Sequence, residues 1–424
     1  MVMPLAARVV AAVIGGLLVL TAASSVTGTL IVSRSISSRL TRWVDKTVVG
    51  AYRLVFKWYV HKEPGDSPHA IQMAYKRADR LLATQPAAIL LGQLATWLVV
   101  AYVGFALLLW PFATHGVVSA FIDAGSSLFT LGFAVPAGAV PAVIVFLAAA
   151  TGLVIVTLQI AYLPTLYAAF NRRETEVALL NARAGVPSWG PELLARTHYA
   201  LGTGMSTLDT MPDLYAQWER WAADVAESHS NYPVLVRFRS PHPLDSWLVG
   251  LLSVMDSAAM LLALCPSRDR IEPRRAIRMG FTALREIGSA VGMDVDMDPD
   301  PDSDVELSFE EFSAAVDQLR TVDFPVERDA AEAWPHFRGW RVNYESLAYA
   351  LAYRTNQVPA PWSGPRRWGT GTIPVQRPTL RLPGKSTWMK EGKVVEPDTT
   401  PDQADRPAGA PTDGVGETSR ARND

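Results

Sequence analysis

The chain has 424 residues, enough for two or three domains, with 49% hydrophobic and only 19% charged positions and a formal net charge of −2. Soluble proteins average about 25% charge, so the deficit points to a membrane segment, and the lack of any basic stripe excludes a general nucleic-acid binder. A single cysteine, Cys265, excludes an internal disulfide framework and a multi-cysteine metal site; set in an apolar run, it reads as a small buried hydrophobe.

Residues 9–32 carry no charge and, at 1.5 Å per residue, suffice to cross a hydrocarbon core of about 30 Å. A cleaved signal peptide is the rival reading, with Thr21-Ala-Ala-Ser-Ser25 as its small-residue site, but such apolar cores run to about 7–15 residues. The expectation is a retained N-terminal transmembrane helix over 1–33. Residues 34–86 form a basic linker. Arg39, Arg42 and Lys46 alternate with Leu40, Trp43, Val48, Val49, Tyr52, Leu54 and Phe56, the pattern of an amphipathic helix. Both a helix on the inner leaflet and a solvated linker helix fit that pattern.

Between Arg80 and Arg172 the only charge is Asp123. A second span is expected from Ala87 to Trp110, opened by Pro86 and closed by Pro111, with Trp110 and Phe112 as an interfacial belt. A third runs from about Ala139 to Ala169 and ends at Asn171-Arg172-Arg173-Glu174. The stretch 116–128 between them predicts a helix of roughly 20 Å, too short to span. Loop 33–86 carries ten Lys and Arg, 111–138 carries none, and Arg172 and Arg173 close the third span. The positive-inside rule therefore sets the N-terminus outside and everything after 171 in the cytoplasm.

After the short helix stands Thr130-Leu131-Gly132-Phe133-Ala134. With its flanking helices this segment resembles the potassium-channel selectivity filter Thr-Val-Gly-Tyr-Gly, and residues 87–173 as a whole resemble that family's pore module of outer helix, pore loop and inner helix. The resemblance implies a homotetramer, a filter at Thr130, Leu131, Gly132, Phe133 and Ala134, and Gly152 as the hinge of the inner helix. It implies no cofactor beyond the permeant monovalent cation, potassium foremost. Asp123, seven residues before Thr130, reads as an acid of the pore helix, behind the filter or near the outer vestibule, and equally as a cap of that helix or a partner of His115. Two positions depart from the pattern: Ala134 replaces the second filter glycine and Val135 the acidic residue that comes after it. Selectivity for potassium over sodium is therefore not implied.

Residues 174–357 predict a helical cytoplasmic domain, with candidate helices at 174–184, 191–201, 213–229, 243–264, 274–291, 309–319 and 342–354. The segment 243–264 is apolar enough for a fourth span. Asp256 at its middle, and the arginines from Arg268 to Arg278 that a crossing would put outside, favour a core helix. Asp300, Asp302, Asp304 and Glu311 match positions 1, 3, 5 and 12 of a calcium loop, but Val305 occupies the sixth position, where the turn wants glycine. Ser308 and Glu311 also match a capping box, the simpler account. No histidine spacing, phosphate loop or nucleophile elbow marks an enzyme. From 358 to 424 the composition reads as a disordered tail. Arginine outnumbers lysine 32 to 7, as in a high-GC bacterium.

The expectation is thus an all-α protein of the bacterial inner membrane, with three transmembrane helices, a re-entrant pore loop and a helical cytoplasmic domain that has room for an unidentified effector. It assembles as a homotetramer that passes monovalent cations. The alternative is a membrane-anchored sensory or interaction protein whose loop conducts nothing.

Overall fold

The computed structural model describes residues 5–32, 38–59, 67–113, 116–133, 135–198, 207–296, 298–300, 302–366, 371–376, 388–390 and 393–395. They form two compact units, 1–378 and 379–424. The second contains one antiparallel hairpin, β1 (Trp388–Lys390) and β2 (Lys393–Val395), with Trp388 opposite Val395. The first is built from helices.

Four of its helices are long and apolar enough to cross a membrane. The first, α1 (Leu5–Leu30), packs on α4 (Gln85–Leu109) at a crossing made by two glycines. A Cβ at Gly15 would stand 2.6 Å from the Gly104 carbonyl oxygen, and one at Gly104 would stand 2.8 Å from Val19. Small residues here let two backbones touch, which is how helices associate where lipid removes the hydrophobic drive.

Helix α2 (Arg39–Tyr59) runs antiparallel to α4. Val44 faces Gly92, the Gln93 amide donates to Asp45 at 3.0 Å, and the Tyr52 hydroxyl meets Thr84 at 2.7 Å. Val44, Val49 and Phe56 of its apolar face are thus buried, while Trp43, Leu54 and Val55 stay exposed. Helix α3 (Pro68–Ala83) has Ser67 as its N-cap and Pro68 in its first turn, and meets α4 directly at Thr84.

Helix α5 (Val117–Leu128) fits between α4 and α6 (Ala139–Ala184), which runs unbroken for 46 residues. The third span and the first cytoplasmic helix expected at 174–184 are thus one element. Its far half enters a helical body made by α7 (Gly190–Ala195), α8 (Met211–Asn231), α9 (Trp247–Leu264), α10 (Ile271–Ala290), α11 (Phe309–Arg320), α12 (Ala330–Arg341) and α13 (Glu345–Thr355). Helix α7 is shorter than expected, and 199–201 lie outside the described residues. Helix α12 was not anticipated, because Pro335 lies inside it; Asp329 caps its start by accepting from the Glu332 amide at 2.8 Å.

All 18 residues of α9 are buried, enclosed by charged amphipathic helices of the same body. Its central Asp256 meets Arg341, itself fully buried. Arg341 also donates to Glu345 at 2.7 Å, to the Tyr349 hydroxyl at 2.7 Å and to the Trp362 carbonyl at 2.9 Å, while the Tyr344 hydroxyl donates to Asp256 at 2.8 Å. Every charge in this cluster has partners, as a dry interior requires. Cys265 is also buried, its thiol donating to the Pro325 carbonyl at 3.0 Å, and burial pushes that thiol up to about 12.

The tail expected from 358 starts later. Val358, Ala360, Trp362 and Ile373 are buried. Arg366 threads this segment, donating to the carbonyls of Gln357 and Val358 at 2.7 and 2.6 Å, and Gln376 pairs with Val186 as an isolated bridge. Residues 358–366 and 371–376 therefore belong to the body, held by hydrogen bonds to backbone carbonyls that composition does not reveal.

Candidate functional site

The end of α5 is where the sequence concentrates its functional signal. The helix has 12 residues, about 18 Å. It leaves through a left-handed turn. The Thr130 amide donates to the Ser127 carbonyl at 2.9 Å and the Leu131 amide to the Ser126 carbonyl at 2.7 Å, the paired bonds of a Schellman motif. Glycine usually takes the left-handed position of that motif. Here Thr130 takes it, with φ 56°, and Gly132 comes two residues later with φ 74°. A β-branched residue in this region is under backbone strain of roughly 1–3 kcal/mol.

Ser126 organises the backbone beyond this turn. Its carbonyl also receives the Gly132 amide at 3.3 Å, and its hydroxyl oxygen accepts the Phe133 amide at 3.0 Å. Four successive amides, 130 to 133, are thus turned back onto the helix end. Among the described residues no donor reaches the carbonyls of Thr130, Leu131, Gly132 or Phe133. The side chains of Phe129, Leu131, Phe133 and Val135 are exposed on a single chain, and a Cβ at Gly132 would meet nothing within 4 Å. The segment is a polar backbone edge framed by apolar side chains. Ala134 lies outside the described residues.

Close approach to α6 fixes the depth of this edge. A Cβ at Gly152 would stand 2.0 Å from the Leu128 carbonyl oxygen and 3.2 Å from Leu128 Cδ1. Gly152, expected as a hinge, thus lies in the unbroken α6 as the seat for the end of α5. It is thirteen residues past Ala139, roughly 20 Å along the helix. The ten residues 129–138 span that distance easily, since an extended chain covers about 3.3 Å per residue. On the α4 side, a Cβ at Gly125 would be 3.3 Å from the Tyr102 ring, which meets Phe121 edge-on at 5.4 Å.

Asp123 lies half-buried in the middle of α5 and so does not cap it; the N-cap position is Gly116. His115, its suggested partner, lies outside the described residues. The carboxylates of the calcium-like pattern are not gathered. Glu311 accepts from the Ser308 amide at 3.0 Å and Ser308 accepts from the Glu311 amide at 3.2 Å, the reciprocal capping box, while Asp302 turns to Arg338. No group of three metal-ligating side chains occurs among the described residues.

At the other end of α6 the body grips the helix. Arg173, fully buried, donates to Glu174 at 2.7 Å and to the carbonyls of Leu235 and Phe238 at 3.0 and 2.9 Å, lies 2.9 Å from His229 Nε2, and sits over the Phe170 and Trp247 rings. Burial and this neighbouring cation hold His229 well below its usual range, so the ring is neutral. Arg239 joins α3 to the body, donating to Asp79 and to the Tyr75 hydroxyl at 2.9 Å and to the Thr355 and Asn356 carbonyls. Sequence reasoning missed Ser126, Thr130's handedness and both arginines. Only Ser126-Ser127 at a helix end, in an otherwise apolar stretch, was a visible sign.

Comparison of the chain with protein-family models, with curated proteins and with solved structures finds no match.

Proposed function

We propose that this chain is one subunit of a homotetrameric bacterial membrane channel that passes monovalent cations, potassium foremost, through residues 130–134. The row of carbonyls from Thr130 to Phe133, without donors among the described residues and, in this reading, well inside a hydrocarbon core of about 30 Å, carries the proposal. Non-helical backbone at that depth persists only where protein covers it or a water-filled path runs past it. Carbonyls beside such a path replace the hydration shell of a cation, and the C-terminus of α5 adds partial negative charge there. One chain supplies one such edge, so a ring needs several copies.

In this reading α1, α4 and α6 span the inner membrane, α5 and 129–138 enter and leave from outside, and Asp123 raises the local cation concentration from α5. Helix α9 stays in the cytoplasmic body: its enclosure by protein and its Asp256–Arg341 pair serve a soluble core, and a crossing there would carry basic residues outward. The mass of the detergent-solubilised protein tests the assembly. About four times the 46.2 kDa of one chain is expected, and one or two protomers would exclude a four-fold pore.

A further inference from the structure

The first two turns of α2 carry three cations that no described residue supplies with counter-charge. Arg39, Arg42 and Lys46 are exposed and recur at three- and four-residue spacing, so they line one edge of the helix. Trp43 stands beside them, 61% exposed. Among the described residues no carboxylate pairs with any of the three. Asp45, the one acid of α2, faces the other way and accepts from Gln93.

The depth of this edge is set by α4. Val44 and Asp45 lie against Gly92 and Gln93, roughly 24–26 Å inward from Leu109 at 1.5 Å per residue. Thr41 lies higher, at hydrogen-bond distance from Ser25, which accepts from the Trp97 indole at 2.9 Å. With the outer end of α4 at the outer face of a core of about 30 Å, the antiparallel run of α2 puts Lys46 at its inner boundary, Arg42 roughly 7 Å and Arg39 roughly 12 Å inside it. Long basic side chains there extend their stems toward the headgroup layer, and a tryptophan at that level suits the interface. A cation facing lipid at this depth needs an anionic partner.

We propose that Arg39, Arg42, Lys46 and Trp43 bind the phosphate headgroup of an anionic phospholipid in the cytoplasmic leaflet. The lipid phosphate supplies the counter-charge and Trp43 packs on the glycerol and upper acyl region. Because α2 is hydrogen-bonded to α4 through Asp45 and Gln93, an occupied site also fixes the inner half of that helix. The inference uses the orientation of the spans and is independent of conduction.

The test reconstitutes the full chain in phosphatidylcholine vesicles with trace spin-labelled phosphatidylglycerol or spin-labelled phosphatidylcholine, and compares the motionally restricted fraction of each. The expected result is preferential restriction of phosphatidylglycerol, weakened by salt. In the R39Q/R42Q/K46Q protein that preference disappears, since each basic residue contributes about fivefold to headgroup affinity. K76Q/R77Q/R80Q, on α3 beyond the membrane boundary, keeps it. Should the triple variant fail to fold, Lys46→Gln alone is expected to reduce the preference. Equal restriction of the two lipids by the native chain, a preference that survives loss of Arg39, Arg42 and Lys46, or displacement of the lipid by excess inorganic phosphate would overturn the proposal. No current is measured, so failure here leaves the channel reading standing.

Discussion

Substituting Gly152 by alanine probes the seat of the pore segment with a single methyl group. That methyl would stand 2.0 Å from the Leu128 carbonyl oxygen. Carbon and oxygen in contact keep about 3.3–3.6 Å, so the end of α5 must retreat by roughly 1.3–1.6 Å. Overpacking of this kind costs about 1–3 kcal/mol. Against it stands the helix preference of alanine over glycine, up to about 1 kcal/mol. The net effect is destabilising by as much as about 2 kcal/mol. Gly16→Ala, where a Cβ meets nothing within 4 Å, gains the propensity without the clash and serves as the control. Thermal unfolding in detergent and current amplitude in planar bilayers read the two consequences. Gly152→Ala is expected to melt earlier than the native chain and to conduct poorly, because its filter segment is displaced with α5, whereas Gly16→Ala matches or exceeds the native chain in both. If Gly152→Ala behaves like Gly16→Ala in both assays, α5 does not end against α6 as described.

Gly104→Ala forces α1 from α4, with Val19 only 2.8 Å from the added carbon; a loss of about 1–3 kcal/mol, read as an earlier melt, is expected. Arg341→Met strands Asp256 and Glu345 in a dry core and should cost about 3–5 kcal/mol; a melt unchanged from the native chain would mean the cluster is wet. His229 is held neutral by burial and by Arg173. Its unfolded form takes up a proton below about pH 6.5, so its contribution is complete above that pH and falls by about 1.4 kcal/mol per unit below it. Burial raises Asp245 to about 6, and its protonation favours the folded state as the pH falls through that value, partly offsetting the loss. The comparison of native chain with His229→Gln isolates the histidine: the variant's stability should fall less steeply between pH 6.5 and 5, and identical slopes would contradict a buried neutral ring.

The apolar helices were legible because lipid demands long uninterrupted runs, and prolines, glycines and charges mark their ends. Pro86 and Pro111 bracketed α4 to within two residues, and Gly116 and Leu128 bracketed α5. Ser308 and Glu311 announced their capping box through spacing alone. Long-range pairings were illegible. Nothing near Arg173 in sequence predicts that it reaches Leu235 and Phe238, and nothing near Arg341 names Asp256 as its partner. The strained conformation of Thr130 was hidden because a threonine there violates local preference; hydrogen bonds back to Ser126 and Ser127 hold it, beside a helix end seated on Gly152. Helix α12 was masked by Pro335, a residue that ordinarily argues against a helix interior.

Unitary current from the purified protein in a planar bilayer, recorded for the native chain and for Gly132→Asp, tests the pore most directly. Position 132 is open on the single chain, so an aspartate fits the isolated protomer at the cost of its left-handed backbone and interferes only where copies face a shared ion path. The account predicts discrete monovalent-cation currents from the native chain, and their loss in a Gly132→Asp protein that keeps its melt and its assembled mass. An absence of unitary current from the native chain, or current unaltered by the aspartate, would contradict it.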